Sequence, residues 1–334
     1  MVNSCLQSPF GYIISEAMET DSNIETIAPT GKRRGLPPAP VVWRFPWLSF
    51  VSSLIIVAGV CVFLYPHVAS WFSQKEQSRV IALTQEITEQ NEKKKPNPYV
   101  ALLEQARKYN EALASGVKLE ADANVPKGYG NNSNQTLNYQ DILSGNKEGV
   151  MGRLHYAKLE IDLPIYHGTS EATLLKGVGH LEGTSLPVGG TGQRSVLTAH
   201  RGLPESTLFT HLDKAKKGDI FTISVLDQVF SYQVIDIITI EPSDTEVLFA
   251  DPEKDLVTLI TCTPLGINTQ RILVTGERVI PTPQSELDDA KKAPDLPGFP
   301  WWIVILLVTV TGAGIYIWRS GRQNPSTKPT QTQG

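Results

Sequence analysis

Cys262 closes an apolar, β-branched run, LVTLITC (Leu256–Cys262), and is followed by Thr263 and Pro264. A thiol acts as a nucleophile only as its thiolate, and an ordinary thiol with a pKa near 8.5 is only roughly 3% ionised at pH 7. It needs a base or a nearby cation. Arg271 opens the following run, RILVTGERV (Arg271–Val279), after the loop TPLGINTQ. Two adjacent strands joined by a loop bring their ends together, so thiol and guanidinium can face one pocket. There a guanidinium favours the thiolate or holds an oxyanion. Taken alone, an Arg at a strand start is more often a surface charge. For the base, six histidines are available, His67, His155, His167, His180, His200 and His211. His200 follows SVLTA (Ser195–Ala199) and precedes Arg201–Gly202, which puts its imidazole at the rim where a strand ends. His167 in IYHGTS and His180 in VGHLEG flank turns and stay open as candidates. His155 falls mid-strand and His211 on an expected short helix, where packing or surface roles are commoner.

The elements that would hold these residues are mostly strands. RLHYAKLEI (Arg153–Ile161), SVLTA, DIFTISVL (Asp219–Leu226), VFSYQVIDIITI (Val229–Ile240), LVTLITC and RILVTGERV are rich in β-branched and aromatic residues and are punctuated by Gly, Pro, Asn and Asp. One short helix fits Ser206–Lys214. Many strands with few helices predict an all-β closed barrel or sandwich. Upstream, Lys75–Asn91 can continue a helix until Pro96 and Pro98 break it. A second helix starts at Pro98 with Asn97 as its cap, and Tyr99, Leu102, Leu103, Ala106, Tyr109 and Leu113 form its apolar stripe. Ala123–Gly145 reads as a long loop, and Pro281–Pro300 as a stalk-like, Pro-rich linker.

Two uncharged runs frame these elements. WLSFVSSLIIVAGVCVFLY (Trp47–Tyr65) and WWIVILLVTVTGAGIYIW (Trp301–Trp318) each match the roughly 20 residues that cross a bilayer as a helix. Trp and Tyr near their ends suit the headgroup region. The first begins behind a long polar leader and exceeds a signal h-region, so it reads as a retained anchor. Lys32, Arg33, Arg34 and Arg44 precede it, and Arg319, Arg322 and Lys328 follow the second. The positive-inside rule then places both termini in the cytoplasm and the intervening segment outside. Of the three cysteines, Cys5 falls in the leader and Cys61 in a span, which leaves Cys262 unpaired in the exported segment. The net charge of -4 argues against nucleic-acid binding. No spacing suggests a zinc or calcium site or any other cofactor.

TLITC, with Arg271 nine residues on and His200 about sixty residues upstream, resembles the sortase signature. The string TCTPLGINTQR is similar to the version in the class C, pilus-assembling sortases of Gram-positive bacteria. So are LPIYHGTS (Leu163–Ser170), GVGHLEGTSLPVGG (Gly177–Gly190) and SVLTAHRGLP (Ser195–Pro204). The resemblance spans roughly Gly149–Val279, and the two-span arrangement is typical of that class. It implies an eight-stranded closed β-barrel with short helices, preceded by a helical or lid segment and flanked by two transmembrane helices. It implies that Cys262 is the nucleophile, His200 the general acid and base, and Arg271 the oxyanion or substrate stabiliser, with His167 and His180 left structural. The implied activity is cleavage of an LPXTG-like sorting signal between Thr and Gly and transfer of the acyl group to a Lys amine of a pilin subunit. The alternatives are a housekeeping sortase using a peptidoglycan-precursor amine, an exported cysteine peptidase using water, and a non-catalytic anchored binding module. The expected division is a disordered cytoplasmic leader (1–45), a span (46–72), an extracellular helical segment and lid (73–148), the barrel (149–281), a linker (282–298), a second span (299–318) and a cytoplasmic tail (319–334). One departure stands out. The class often carries an Asp-Pro-aromatic lid anchor, and ADANVPKGYGNNSNQ holds none, which leaves Pro126–Tyr129 as the stretch that would cover the cleft.

Overall fold

In the β-branched runs, alternate side chains pack into one buried cluster, and the strands close on themselves around it. The chain is described by a computed structural model over residues 42–114, 138–144 and 149–323. Most of the leader, the Pro126–Tyr129 stretch and most of the tail lie outside the described residues. The flanking unit holds one short antiparallel pair, β1 (Val42–Trp43) with β10 (Arg322–Gln323), extended by the Arg44 N–H donating to the Gly321 carbonyl at 3.0 Å.

The main unit, Pro46–Ser320, contains eight strands: β2 (Val150–Tyr156), β3 (Ile161–His167), β4 (Val178–His180), β5 (Gln193–Thr198), β6 (Ile220–Val225), β7 (Gln228–Ile240), β8 (Asp255–Thr263) and β9 (Gln270–Val279). They close as a barrel in the order β2-β3-β4-β5-β8-β9-β7-β6. The expected eight-stranded closed barrel is therefore the observed fold. β3 with β4 and β5 with β8 run parallel, and the other neighbours are antiparallel. Leu154, Ile165, Leu197, Phe221, Val257 and Leu259 are wholly buried in its core. β2 and β6 approach so closely that a Cβ on Gly152 would stand 2.6 Å from the Ser224 carbonyl oxygen, which is why that position has no side chain.

Two expected elements are corrected. The single strand Arg153–Ile161 is instead the turn of a hairpin: Ala157–Leu159 form a 3-10 turn, and Glu160 takes a left-handed conformation at φ 55° that reverses the chain into β3. The helix expected over Ser206–Lys214 shrinks to a 3-10 turn at Leu212–Lys214. Leu208 at φ 38° is incompatible with a helix, and burial of Phe209 and Leu212 in the core sets the path of this segment.

Helix α1 (Trp47–Glu92) runs without a break from the apolar segment through the charged one. It and α5 (Trp301–Ser320) are long and apolar enough to cross a membrane, and their apolar stretches are mostly exposed. They meet where the Trp71 ring lies edge-on to Trp302 and its Nε1 donates to the Gly298 carbonyl at 2.8 Å. Helix α2 (Pro98–Ala114) starts as its sequence predicts, with Asn97 Oδ1 accepting from the Tyr99 N–H at 2.9 Å. Its Leu103 and Ala106 join the barrel core. Asn110, buried, exchanges both its amide groups with the backbone of Leu186, at 2.7 and 3.0 Å.

The Pro-rich segment contains a short helix, α4 (Gln284–Ala290), and is bonded to its neighbours beyond it. Arg153 forks onto Asp162 at 2.5 and 2.7 Å, and its Nη1 donates to the carbonyls of Ala290 and Lys292. The Asp295 N–H donates to Asp162, while Gln85 and Ser78 of α1 donate to the carbonyls of Ala290, Lys292 and Asp295. Burial pushes the Asp162 carboxyl up, but the His155 and Arg153 donors outweigh it and hold it at about 2. His155 Nδ1 is 3.8 Å away, too far for a hydrogen bond, so the Arg153 fork carries most of the effect.

Asn110→Ala is expected to lower stability by about 1–3 kcal/mol, because it strands the buried peptide groups of Leu186, and thermal unfolding of the full chain measures this. Asp162→Asn is expected to cost on the order of 2 kcal/mol at neutral pH. Since the folded carboxyl is depressed, that loss is full above the ordinary carboxylate value. It fades as pH falls from about 4 towards 2, where wild type loses the same interaction. Melting temperatures of the two proteins should therefore converge in acid.

Candidate active site

Strand alternation decides which face each site residue occupies. Val257 and Leu259 of β8 point into the barrel core, whereas Ile260 belongs to a smaller cluster on the other face with Val196 of β5, Leu273 of β9 and Leu248. Cys262 lies two residues beyond Ile260 and so shares that outer face. It is half-buried and pairs in register with Arg271 directly opposite on β9. The last parallel pair of β5 with β8 is Thr198 with Ile260. His200 and Cys262 thus stand two residues past the same rung. Past that rung the two chains stay bonded, with Thr261 Oγ1 donating to the Ala199 carbonyl at 2.7 Å. Three neighbouring strands carry His200, Cys262 and Arg271 to one end of the barrel, above an apolar floor.

The guanidinium of Arg271 is held by its own loop, Nη1 donating to the carbonyls of Asn268 at 3.0 Å and Gln270 at 2.9 Å. Its Nε and Nη2 meet no acceptor among the described residues and remain available to a ligand. The His200 side chain is 24% exposed, and its Nε2 lies 3.2 Å from Glu171 Oε1. That approach is out of line for a hydrogen bond, and the buried Nε2 has no other partner among the described residues. Glu171 opens helix α3 (Glu171–Leu174), whose first turn is capped by Ser170 Oγ accepting from the Thr173 N–H.

Arg201, the residue after His200, ties the site together from behind. Its Nη1 donates to Thr263 Oγ1 at 3.0 Å, its Nε to the Thr210 carbonyl, and its Nη2 pairs with Asp213 at 2.8 Å. Gly202, at φ 75°, sits so close to Leu265 that a Cβ there would clash at 2.4 Å. The loop after His200 and the loop after Cys262 are therefore packed on one another. Helix α1 braces the same region: Gln77 Nε2 donates to the Lys176 carbonyl and to Ser206 Oγ, both at 3.3 Å, and Ser73 donates to Ser206 at 3.0 Å.

His167 and His180 lie elsewhere, in a buried polar knot. His180 is wholly buried, which lowers its pKa to about 4. Its Nε2 faces the Ser185 carbonyl, so that nitrogen carries the proton and Nδ1 accepts from the Tyr139 hydroxyl at 2.9 Å. Burial also lowers the His167 pKa, and its Nε2 contacts the Ile142 carbonyl at 2.7 Å. Both rings fasten Tyr139–Leu143 to the barrel. Among the described residues no three His, Cys, Asp or Glu side chains converge as a metal site would require. Glu171, Arg201 and Gln77 are absent from the residues that the sequence singles out for the site. Arg201 adjoins His200 in the chain and was within reach, but nothing in the sequence places Glu171 or Gln77 beside it.

The match to the family model described as Sortase domain covers residues 154–279, from β2 to the end of β9. The chain is 28% identical over 190 residues to Sortase A of Streptococcus agalactiae serotype III, covering 55% of this chain and 76% of that protein. Among solved structures, sortase C-1 from Actinomyces oris is 43% identical, with 55% of this chain and 99% of that one covered and a TM-score of 0.50. Sortase C from Streptococcus pneumoniae is 40% identical, with 60% and 96% covered and a TM-score of 0.50. A barrel of this topology, a thiol at its open end and these likenesses agree: the chain belongs to the sortase family of cysteine transpeptidases.

Proposed function

We propose that Cys262 is the nucleophile of this transpeptidase, His200 its general acid and base, and Arg271 the stabiliser of the oxyanion. The observation that carries this reading is the register of three adjacent strands, with Cys262 opposite Arg271 and His200 at the same level on the parallel neighbour. His200 takes the proton of the Cys262 thiol, the thiolate attacks the Thr–Gly carbonyl carbon of an LPXTG-like signal, and the electron pair moves onto oxygen. Arg271, through its unengaged N–H groups, offsets that charge. Collapse breaks the C–N bond, and His200 gives its proton to the departing amine. The thioester is then attacked by an incoming amine. His200 takes the proton from that amine, the new amide forms, and Cys262 leaves as thiolate.

The acceptor in this proposal is a Lys amine of a pilin subunit, so that the product is an isopeptide-linked polymer. Support comes from the likeness to the Streptococcus pneumoniae sortase C, a protein with pilin substrate specificity. α1 and α5 would hold the barrel at the outer face of the cell membrane with both termini inside. The mutual pairing of the two flanking segments supports termini on one side. A housekeeping role with a peptidoglycan-precursor amine uses the same chemistry, and the likeness to Sortase A of Streptococcus agalactiae favours keeping it as the second reading.

Incubation of the full chain with an LPXTG peptide should give a thioester adduct in intact-mass spectra, absent from Cys262→Ala. No adduct with any sorting peptide would sink the assignment. Arg271→Ala should lower the acylation rate by about 10²–10³-fold while Cys262 remains open to alkylation. A Lys-bearing pilin domain outcompeting a peptidoglycan cross-bridge peptide for the thioester would favour the pilus role, and the reverse order would favour the housekeeping one.

A further inference from the structure

His200 has a partner that the family reading does not include. Its Nε2 is buried and has no aligned hydrogen bond, although an imidazole N–H shut away from water requires an acceptor. Among the described residues, Glu171 is the acidic group paired with it, Oε1 standing 3.2 Å from Nε2. The misalignment is small in consequence, because the Glu171 side chain is 73% exposed and free to rotate into line. The backbone beneath it is not free. Ser170 caps the turn, Lys176 just beyond it is bonded by Gln77 of α1, and Leu174 packs so near β4 that a Cβ on Gly179 would come within 2.9 Å of it. Gln77 also bonds Ser206 in the loop that follows His200. One buried amide thus holds the Glu171 segment and the His200 segment against each other.

On the reading that His200 is the acid and base of the reaction, we propose that Glu171 is its positioning residue: the carboxylate keeps the proton on Nε2 and leaves Nδ1 to exchange protons with the reacting groups. Which nitrogen of a histidine is protonated is set by the hydrogen bond that the other makes. A base oriented by a third group is the general arrangement for an activated nucleophile. When His200 takes the proton of the incoming amine, the same carboxylate balances the cation, and no proton passes to Glu171. An exposed ion pair contributes little to stability, so the role is read from the tautomer and the rate rather than from folding.

The test uses full chain labelled with 15N-histidine in detergent micelles, with the His200 signals identified by their loss in His200→Asn. At neutral pH the wild type should carry its proton on Nε2. Glu171→Ala should mix the two tautomers and lower the rate of thioester formation at saturating LPXTG peptide at least about tenfold, with little change in KM. Glu171→Gln, which keeps an acceptor oxygen without charge, should retain the tautomer and lie between the two in rate. A wild-type ring protonated on Nδ1, or a Glu171→Ala protein unchanged in tautomer and rate, overturns the proposal. The tautomer is read without substrate. If wild type forms no adduct yet Glu171→Ala shifts the tautomer, the pairing stands and the assigned reaction falls.

Discussion

Six residues of β5, Gln193–Thr198, lie in parallel register with Asp255–Ile260 of β8, and both chains continue past the last rung, where β5 ends and β8 runs on to Thr263. Parallel neighbours point the same way, so whatever follows each strand emerges at the same end of the sheet. His200 and Cys262 are what follow. A slip of one residue would turn Cys262 inward among Val257 and Leu259 and take it out of reach of any substrate. Burial of those two side chains in the core, and of Ile260 and Leu273 beneath the satellite cluster, makes such a slip costly. Hydrophobic packing on both faces of β8 thus fixes the position of a polar reaction at its end.

Hydrogen bonds from neighbouring segments also secure the loops around the site. Arg201 reaches Thr263, Thr210 and Asp213. Gln77 and Ser73 reach Ser206 from a helix whose first half carries no Asp, Glu, Lys or Arg. The Arg153–Asp162 fork fastens the segment after α4 to the barrel, and Gln85 and Ser78 of α1 bond the same segment. Among the described residues, both connections between the apolar helices and the barrel therefore carry hydrogen bonds to it.

Much of this was legible in the sequence because its causes are local. β-branched runs and their punctuation foretold five of the eight barrel strands, β5 to β9, and the Cys262–Arg271 spacing follows from one hairpin. What escaped was set by distant partners or by backbone reversals that leave little trace in composition. Glu160 gives no warning of its left-handed turn, so the expected strand ran from β2 through the turn to Ile161, and β3 and the three-residue β4 were missed. Leu208, an ordinary helix former, sits at a positive φ because Phe209 and Leu212 are drawn into the core. Glu171 and His200 are far apart in the chain, and the intervening β4 and β5 bring them together.

The unbroken α1 has a mechanical consequence. Its 46 residues make a rod about 69 Å long at 1.5 Å per residue, more than twice the roughly 30 Å of a hydrocarbon core. Ser73, which grips the loop after His200, comes only two residues after Trp71, whose ring meets Trp302 where the two apolar helices converge. With the apolar half in a bilayer, the reactive end of the barrel is stationed at the lipid surface, and the remainder of the rod climbs away along its flank. A membrane-tethered substrate would then need only a short stem between its anchor and the bond to be cut. The enzyme would measure that stem as a ruler does, and a subunit standing well clear of the lipid would pass over its reach.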